Sequence, residues 1–205
     1  MIIFALYGEH ILSIYAFHIK QKSYICIQSQ TIMDKSIIKS IILQNQERIE
    51  AIPLQKRKMD FDEKGNYVLV GLRRAGKSFM LYQNIQERIR TGKSQREDIL
   101  YINFEDDRLQ IGGLEDFDTL ITAYHEIYTE RKPIVYLDEI QIINGWEKFA
   151  RRLADTQYRV FITGSNANML SREIATTLGG RFIAREIYPF SFEEYLIYKG
   201  IKLDA

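Results

Sequence analysis

The order of hydrophobic and polar positions predicts an alternation of strands and helices over most of the chain. Five short runs of apolar and aromatic residues have the character of strands: 66–70, 99–104, 134–137, 158–162 and 182–187. The stretches between them repeat apolar residues at helical spacing, which predicts helices over 78–90, 115–129, 146–155 and 167–177. Ser191 and Glu194 have the spacing of a capping box and open a last helix that Gly200 closes. This alternation predicts an α/β fold, in which a parallel sheet carries helices on both faces.

A further helix is predicted ahead of this alternation, over residues 35–50. Its isoleucines at 37, 38, 41, 42 and 49 fall largely on one helical face, and Asp34 is placed to cap its amino end. We expect this stripe to pack on the domain rather than to bind a partner, since most such stripes face a core. Pro53 ends the helix, and the basic residues at 56–58 are interpreted as a solvated linker. Residues 33–60 are therefore expected to form an amphipathic helix and a linker.

Residues 1–32 are interpreted as a separate N-terminal extension. Glu9 and His10 interrupt its apolar start long before the roughly 20 residues that span a membrane. The segment also lacks the basic start and the small-residue cleavage site of a secretory signal. Because Met33 followed by Asp34 would make a natural start, we expect the extension to be a mistaken upstream start or a poorly ordered segment.

Composition narrows the function classes. The chain has 205 residues, 46% of them hydrophobic, which suits one globular domain with an extension. Its formal charge of +1 gives no overall attraction to nucleic acid or to a membrane. Cys26 is the only cysteine, so no internal disulfide forms, and the three histidines (His10, His18 and His125) lack metal-ligand spacing. These features predict a cytoplasmic protein without a membrane partner.

The run Gly71-Leu72-Arg73-Arg74-Ala75-Gly76-Lys77-Ser78 matches the phosphate-binding pattern G-x-x-x-x-G-K-S/T, called Walker A, at every fixed position. The two glycines permit a loop that turns its backbone N–H groups toward a polyphosphate. Lys77 supplies a mobile charge for the β- and γ-phosphates, and Ser78 supplies a hydroxyl for Mg²⁺. The helix that follows directs its positive end at the anion. We therefore predict that all eight residues bind the nucleotide.

Two carboxylates follow the strand at 134–137 directly, as expected of a buried parallel strand that ends at a ligand. Asp138 is predicted to hold Mg²⁺ with Ser78, and Glu139 to orient or deprotonate the attacking water. After the strand at 158–162, Ser165, or else Asn166, is predicted to hydrogen-bond the γ-phosphate, and a plain turn is the alternative. The acidic run at 105–107 either lies near the nucleotide or simply ends its strand.

Taken together, these motifs resemble the AAA+-type P-loop ATPases, in particular the predicted prokaryotic ATP-binding family that carries a C-terminal domain of unknown function. The resemblance covers roughly the last two-thirds of the chain and rests on five segments: 71–78, 136–139, 163–166, 178–181 and 188–195. It implies an ATPase domain over residues 61–205, a sheet in the strand order 5-1-4-3-2, ATP as the ligand and Mg²⁺-dependent hydrolysis.

The resemblance also implies that Arg181 lies where the family keeps an arginine ahead of its last core strand. Arg181 could reach a γ-phosphate, its own or a neighbour's, as an arginine finger. Arg172 and Arg185 are alternatives, and a structural salt bridge is equally open for each of them. Relatives continue into C-terminal regions beyond the last residue here, so we expect a truncated gene product or a fragment, with slow hydrolysis.

Other functions stay open at this point. A nucleotide-dependent switch would hold ATP with little turnover. A small-molecule kinase would need an acceptor pocket, which no pattern identifies. DNA binding would require the basic residues at 56–58 to share a face with Arg151 and Arg152. The resemblance is compatible with an unknown protein or DNA partner and with an oligomer, and it alone favours ATP over GTP.

Overall fold

The computed structural model describes residues 34–111, 113, 116–165 and 176–201, and over these it has the predicted α/β fold. Five parallel strands form one sheet in the order β2-β3-β4-β1-β5, which is the predicted order 5-1-4-3-2 read from the other edge. The strands are β1 (Asn66–Val70), β2 (Ile99–Asn103), β3 (Ile134–Asp138), β4 (Arg159–Gly164) and β5 (Phe182–Glu186). The predicted extension at 1–32 lies outside the described residues.

The helices of the described residues agree closely with the sequence pattern. They are α1 (Lys35–Ala51), α2 (Lys77–Arg90), α3 (Asp116–Ile127), α4 (Trp146–Asp155) and α5 (Phe192–Lys199), with 3₁₀ turns at Arg96–Asp98 and Ile140–Ile142. The capping box of Ser191 and Glu194 is present, and Gly200 ends α5 with a φ of 68°. The helix predicted at 167–177 lies almost entirely outside the described residues.

Strand β4 is two residues longer at its carboxyl end than the apolar run predicted. Thr163 and Gly164 pair in register with Leu69 and Val70 of β1. Their backbone groups therefore continue the ladder, although Thr163 is polar and Gly164 has no side chain. This extension carries β4 to the edge of the sheet where β1 and β3 end.

The central strand β1 shows why helices cover both faces of the sheet. Its alternate residues Val68 and Val70 face a core with α3 and α4, in which Phe117 stacks on Phe149 at 4.3 Å. Tyr67 and Leu69 face the other way, toward a core formed with α2. A parallel strand that is buried on both faces is apolar throughout, which explains the continuous run in the sequence.

Helix α1 packs on the domain, as predicted. Ile38, Ile41, Ile42 and Ile49 are fully buried, and each such side chain contributes about 1.5–3 kcal/mol. Ile37, which was counted on the same stripe, is 40% exposed. The side chain of Asp34 caps the helix by accepting a hydrogen bond from the backbone N–H of Ser36 at 2.8 Å.

The same helix also covers the edge strand β2. The side-chain amides of Asn45 and Gln46 donate to the backbone carbonyls of Tyr101 and Ile99, at 3.4 and 2.8 Å. These carbonyls would otherwise face solvent at a free sheet edge. Separately, none of the described helices has the length and apolar character needed to cross a membrane.

Candidate functional site

The predicted site residues gather at one edge of the sheet, where β1, β4 and β3 end side by side. The phosphate loop, residues 71–78, follows β1 and leads into α2. Asp138 is the last residue of β3, and Thr163 lies one position before the end of β4. Since parallel strands bring their carboxyl ends to a common edge, groups far apart in sequence meet here.

The backbone of the phosphate loop has the unusual dihedrals that its glycines predicted. Gly71 has a φ of 149°, and a Cβ there would lie 2.2 Å from the carbonyl oxygen of Ile187. Arg74 and Gly76 have φ values of 62° and 95°. Gly76 is also the N-cap of α2 and has no side chain to bond the first N–H groups of that helix. The loop therefore leaves these donors free to bind an anion.

The ammonium group of Lys77 lies between the loop and the carboxylates. Lys77 is only 4% exposed, and its Nζ donates to the carbonyls of Leu72 and Gly71 at 3.0 and 3.3 Å. The same atom is 3.6 Å from Oε1 of Glu139. Lys77 thus connects the loop that follows β1 to Glu139, which follows β3.

The side chains of Leu72, Arg73 and Arg74 point to solvent. Arg73 forms an exposed ion pair with Glu105, whose oxygen is 3.3 Å from its Nη2. The first residue of the acidic run after β2 therefore lies beside the phosphate loop. Asp106, in contrast, pairs locally with Arg108 at 2.7 Å.

Asp138 is buried and surrounded by hydroxyl groups. Thr163 donates to its Oδ1 and Tyr101 donates to its Oδ2 at 2.5 Å, and the hydroxyl of Ser78 lies near enough to lower the pKa of this carboxyl. Burial is the largest influence on the pKa of Asp138 and raises it, while the three hydroxyls act in the opposite direction. Burial, followed by the charge of Asp138, raises the pKa of Tyr101, which keeps this tyrosine a neutral donor. The predicted metal residues Ser78 and Asp138 are thus brought together.

Glu139 has a different environment. Its backbone is left-handed, with φ 54° and ψ 38°, a conformation that costs a non-glycine residue about 1–3 kcal/mol. Its N–H donates to Oγ1 of Thr163 at 2.9 Å. Its Oε2 accepts from the hydroxyl of Ser165 at 2.9 Å and from Nε2 of Gln141 at 2.6 Å, whereas its Oε1 faces Lys77. The carboxylate is held by one oxygen and presents the other to the site.

Ser165 was predicted to bond the γ-phosphate, and the structure has it bonded to Glu139. Gln141 was not predicted at all. Its position two residues after Glu139 is the only signal in the sequence, and the 3₁₀ turn at Ile140–Ile142 is what returns its amide to the carboxylate. Its Oε1 is buried and has no hydrogen-bond partner among the described residues.

Arg181 lies away from this edge. It comes directly before β5, whose first residue pairs with Asn66 at the start of β1, so the length of β1, about 15 Å, separates it from the phosphate loop. Its Nε bonds Asp155 at 2.5 Å. The salt bridge left open by the sequence is therefore present, and this geometry disfavours a contact with the chain's own nucleotide. A contact with a neighbour's nucleotide stays a prediction.

The alternatives to these two residues are only partly described. Arg185 lies on the edge strand β5 with its side chain exposed. Asn166, the alternative to Ser165, and Arg172, the alternative to Arg181, lie outside the described residues.

Arg57 connects three segments around the phosphate loop, although its basic cluster was interpreted as a solvated linker. Its guanidinium binds both carboxylate oxygens of Glu194 at 2.8 and 3.1 Å. It also donates to the backbone carbonyls of Ala75 in the loop and Tyr188 before α5, at 3.2 and 3.0 Å. This residue therefore fixes the linker and α5 against the loop.

Beside Arg57 lies a cavity of about 700 Å³ that opens next to Gly76. Its apolar walls come from the linker, α2 and the end of the chain, and they include Pro53, Leu54, Phe79, Met80, Phe190 and Tyr198. The amide of Gln83 also lines it, but that amide bonds both the N–H and the C=O of Arg57. The cavity thus offers mainly apolar and aromatic contacts.

Two uncharacterized proteins are similar to this chain. One, from Methanocaldococcus jannaschii, is 35% identical over 180 residues, which are 86% of this chain and 39% of that protein. The other, from Haemophilus influenzae, is 39% identical over 137 residues, which are 65% of this chain and 34% of that protein. The chain therefore spans well under half the length of these relatives.

Two solved structures resemble the fold at low identity. AMPPCP-bound DnaA from Aquifex aeolicus has a TM-score of 0.46 at 14% identity, over 80% of this chain and 52% of that one. Hsp104 in complex with ATPγS and FITC casein has a TM-score of 0.44 at 15% identity, over 82% and 30%. The family model of the AAA domain matches residues 63–196, which include the phosphate loop, both carboxylates and the whole sheet. The chain belongs to this AAA domain family, in agreement with the resemblance seen in its motifs.

Proposed function

We propose that this AAA domain binds ATP with Mg²⁺ and hydrolyses it. The observation that carries the proposal is the meeting of a phosphate loop and two differently held carboxylates, with Lys77 bonded to the loop and facing Glu139. Asp138 is buried among hydroxyls, whereas Glu139 has Oε2 held by Ser165 and turns Oε1 toward Lys77 and the site. This division suits one carboxylate for a metal and the other for a water molecule.

The residues present fit the triphosphate and the metal. The uncapped N–H groups at the start of α2 and the ammonium of Lys77 bind the phosphates, and Gly71 and Gly76 allow the loop to approach them closely. Ser78 and Asp138 hold Mg²⁺, a hard cation that typically takes few protein oxygens together with phosphates and water. When bound, Mg²⁺ neutralises charge that develops on the phosphates during transfer.

Hydrolysis needs a base that points at the attacking water. Ser165 and Gln141 occupy Oε2 of Glu139, so Oε1 accepts the proton of the water that attacks the γ-phosphorus. The buried Oε1 of Gln141 supports a water molecule nearby, since such acceptors are ordinarily satisfied by ordered water. The strained backbone of Glu139 also supports a functional role, because such strain clusters at active sites.

The cavity next to Gly76 is where the base of the nucleotide lies in this proposal. It adjoins the loop that holds the phosphates, and its aromatic and apolar walls suit the faces of a purine ring. Because the side-chain amide of Gln83 is hydrogen-bonded to the backbone of Arg57, this amide is not available to bind the edge of the base. The cavity therefore supports nucleotide binding without by itself choosing between adenine and guanine.

The contacts of the basic residues favour this proposal over DNA binding. Arg57 is bound to Glu194, and Arg152 forms a bidentate pair with Asp118 at 2.6 and 3.0 Å. Acidic side chains thus neutralise members of both clusters that a DNA-binding face would require.

The proposal is tested with the 205-residue chain by titrating ATP in the presence of Mg²⁺ in a calorimeter and by measuring phosphate release. The wild type is expected to bind ATP and to release phosphate, whereas Lys77→Ala is expected to lose both. Lys93→Ala is a matched control, because Lys93 is an exposed lysine that pairs with Glu63 away from the site. This variant is expected to behave as the wild type.

Each other outcome contradicts a definite part of the proposal. Binding without phosphate release by the wild type would replace the hydrolase with a nucleotide-dependent switch. If the wild type binds no nucleotide, the phosphate loop has no such function in this chain. Equal losses in Lys77→Ala and Lys93→Ala would mean that the effect is not specific to the loop.

A further inference from the structure

A chain of hydrogen bonds runs from helix α1 to the carboxylate of Asp138. The hydroxyl of Tyr101 bonds Oδ2 of Asp138 at 2.5 Å, and the hydroxyl of Tyr82 lies 3.1 Å from that of Tyr101. Nη2 of Arg48 donates to the hydroxyl of Tyr82 at 3.0 Å. The four residues come from α1, α2, β2 and β3, so the chain exists only in the folded protein.

Only one arrangement of protons satisfies these contacts. A guanidinium can only donate and a carboxylate can only accept, so the two ends of the chain fix its direction. The one hydroxyl proton of Tyr101 is used in its hydrogen bond to Asp138, so Tyr101 must accept a hydrogen bond from Tyr82. Tyr82 in turn accepts a hydrogen bond from Arg48. All three bonds therefore point toward the carboxylate, and bonds aligned in this way polarise and strengthen one another.

The three inner members of the chain are shielded from water, whereas Arg48 at its outer end is exposed. Tyr101 and Asp138 are 0% and 1% exposed, and Tyr82 is 5% exposed. Arg48 is anchored at the far end, where it also donates to Oδ1 of Asn45 at 3.3 Å and lies 5.3 Å from the centre of the Tyr82 ring. A positive charge thus acts on Asp138 through two fixed hydroxyls.

A neighbouring tyrosine shows that burial alone does not account for the arrangement. Tyr136 pairs with Tyr101 in register on β3 and belongs to the same core, and it is equally buried. Its hydroxyl bonds Oδ1 of Asn84 at 2.7 Å and takes no part in the chain. The two tyrosines therefore share burial and position in the sheet but differ in whether they contact Asp138.

We infer that Tyr101 is a positioning residue for the metal, with Tyr82 and Arg48 supporting it. The inference rests on the proposed function, since it assigns a role around the carboxylate that holds Mg²⁺. Tyr101 and Thr163 each hold one oxygen of Asp138, so the carboxylate has a single orientation toward Ser78. Mg²⁺ demands near-ideal octahedral geometry, and a misaligned ligand therefore weakens its binding.

The inference gives α1 a second role besides packing. Arg48 lies ahead of residues 63–196, where the family match is found, yet its charge ends the chain that leads to the metal site. A helix outside the matched region thus influences the chemistry inside it.

The test compares Tyr101→Phe with Tyr136→Phe, which removes a buried hydroxyl from the paired position without touching Asp138. The non-hydrolysable β,γ-methylene analogue of ATP is titrated calorimetrically over a range of Mg²⁺ concentrations. Bound Mn²⁺, used in place of Mg²⁺, is counted by electron paramagnetic resonance. Tyr101→Phe is expected to need about 10- to 100-fold more metal, the usual effect of removing a partner of a metal ligand. Its affinity for the metal-free analogue and the metal requirement of Tyr136→Phe are expected to be unchanged.

Tyr82→Phe and Arg48→Met test the rest of the chain, and both are expected to raise the metal requirement in the same direction by less. They also keep the inference testable if Tyr101→Phe fails to fold, which its thermal unfolding without metal would reveal. An unchanged or lower metal requirement in Tyr101→Phe, or in both supporting variants if it does not fold, would overturn the inference. A wild type that binds the analogue under no condition would instead refute the proposed function itself.

Discussion

The carboxyl ends of β1 and β3 flank β4 and meet at Lys77, yet they are built in different ways. After β1, the groups offered to a ligand belong to the backbone and to Lys77 within one run of eight residues. After β3, they are two side chains, Asp138 and Glu139, whose orientation depends on other strands. The end of β1 therefore depends on local structure, whereas the end of β3 depends on tertiary contacts.

This difference indicates how binding and hydrolysis divide in the proposed function. A loop that binds through its own backbone is sensitive to changes in backbone geometry. A carboxylate held by distant side chains is sensitive to the loss of any one of them. Substitutions at the two ends should therefore affect affinity and rate separately.

The largest effect, on the affinity for ATP, is expected from Gly71→Ala, which alters the loop at the end of β1. The added Cβ would lie 2.2 Å from the carbonyl oxygen of Ile187, so the backbone of the loop must shift. We expect calorimetry to find no ATP binding. Gly92→Ala is the control, because Gly92 also has a positive φ, 71°, but has nothing within 4 Å of the added atom. It should lose about 1–2 kcal/mol of stability and keep its affinity. Equal affinities of the two variants would contradict a loop that acts through backbone geometry.

An intermediate effect is expected at the end of β3 from Ser165→Ala and Gln141→Ala. Each removes one of the two donors that hold Oε2 of Glu139. Because the base is then less well aimed, kcat should fall about 10- to 100-fold while the affinity for ATP stays the same. Steady-state phosphate release and calorimetry measure the two quantities. A parallel loss of affinity in Ser165→Ala would instead favour the direct phosphate contact that the sequence predicted.

The smallest effect is expected from Glu194→Gln, which frees α5 from the loop without changing either end. Hydrogen bonding to Arg57 is the largest influence on the pKa of Glu194 and lowers it below its ordinary value of 4.5. A lowered pKa in the folded state stabilises the protein above about pH 4.5, and this contribution is lost as the pH falls through the folded pKa. The variant should lose roughly 1 kcal/mol at neutral pH, since the pair is partly exposed.

Thermal unfolding of the wild type and of Glu194→Gln between pH 7 and pH 3 measures this effect. The two melting temperatures should differ at pH 7 and converge as the pH falls from about 4.5 through the lowered pKa of Glu194, where the folded wild type takes up its proton. A difference that is constant over this range would mean that the ion pair with Arg57 does not stabilise α5.

The phosphate loop after β1 could be predicted from the sequence, since its residues are contiguous and their types follow from phosphate binding. The strands around it could be predicted as well, because β1, β2 and β3 are apolar on both faces. Asp138 and Glu139 were also predicted, since they end a strand whose pattern is clear. The strand order came from the resemblance to a family, and the sheet confirms it.

The surroundings of the carboxylates could not be predicted, for a physical reason. Tyr101 has the same place in the pattern of β2 as Tyr136 has in that of β3, and only three-dimensional pairing decides which hydroxyl meets Asp138. Arg57 belongs to a basic stretch that resembles a linker, and its partner Glu194 lies 137 positions further along the chain. A contact that depends on tertiary register leaves no local signal.

Glu139→Gln provides the sharpest test of the proposed hydrolysis, with ATP binding and phosphate release followed in the same preparation. The amide keeps the size of the carboxylate but cannot accept a proton from water. If Glu139 is the base, the variant keeps wild-type affinity for ATP with Mg²⁺ and its phosphate release falls at least about 100-fold. Undiminished phosphate release would show that Glu139 is not the base, and a loss of binding along with it would contradict the division between the two ends of the site.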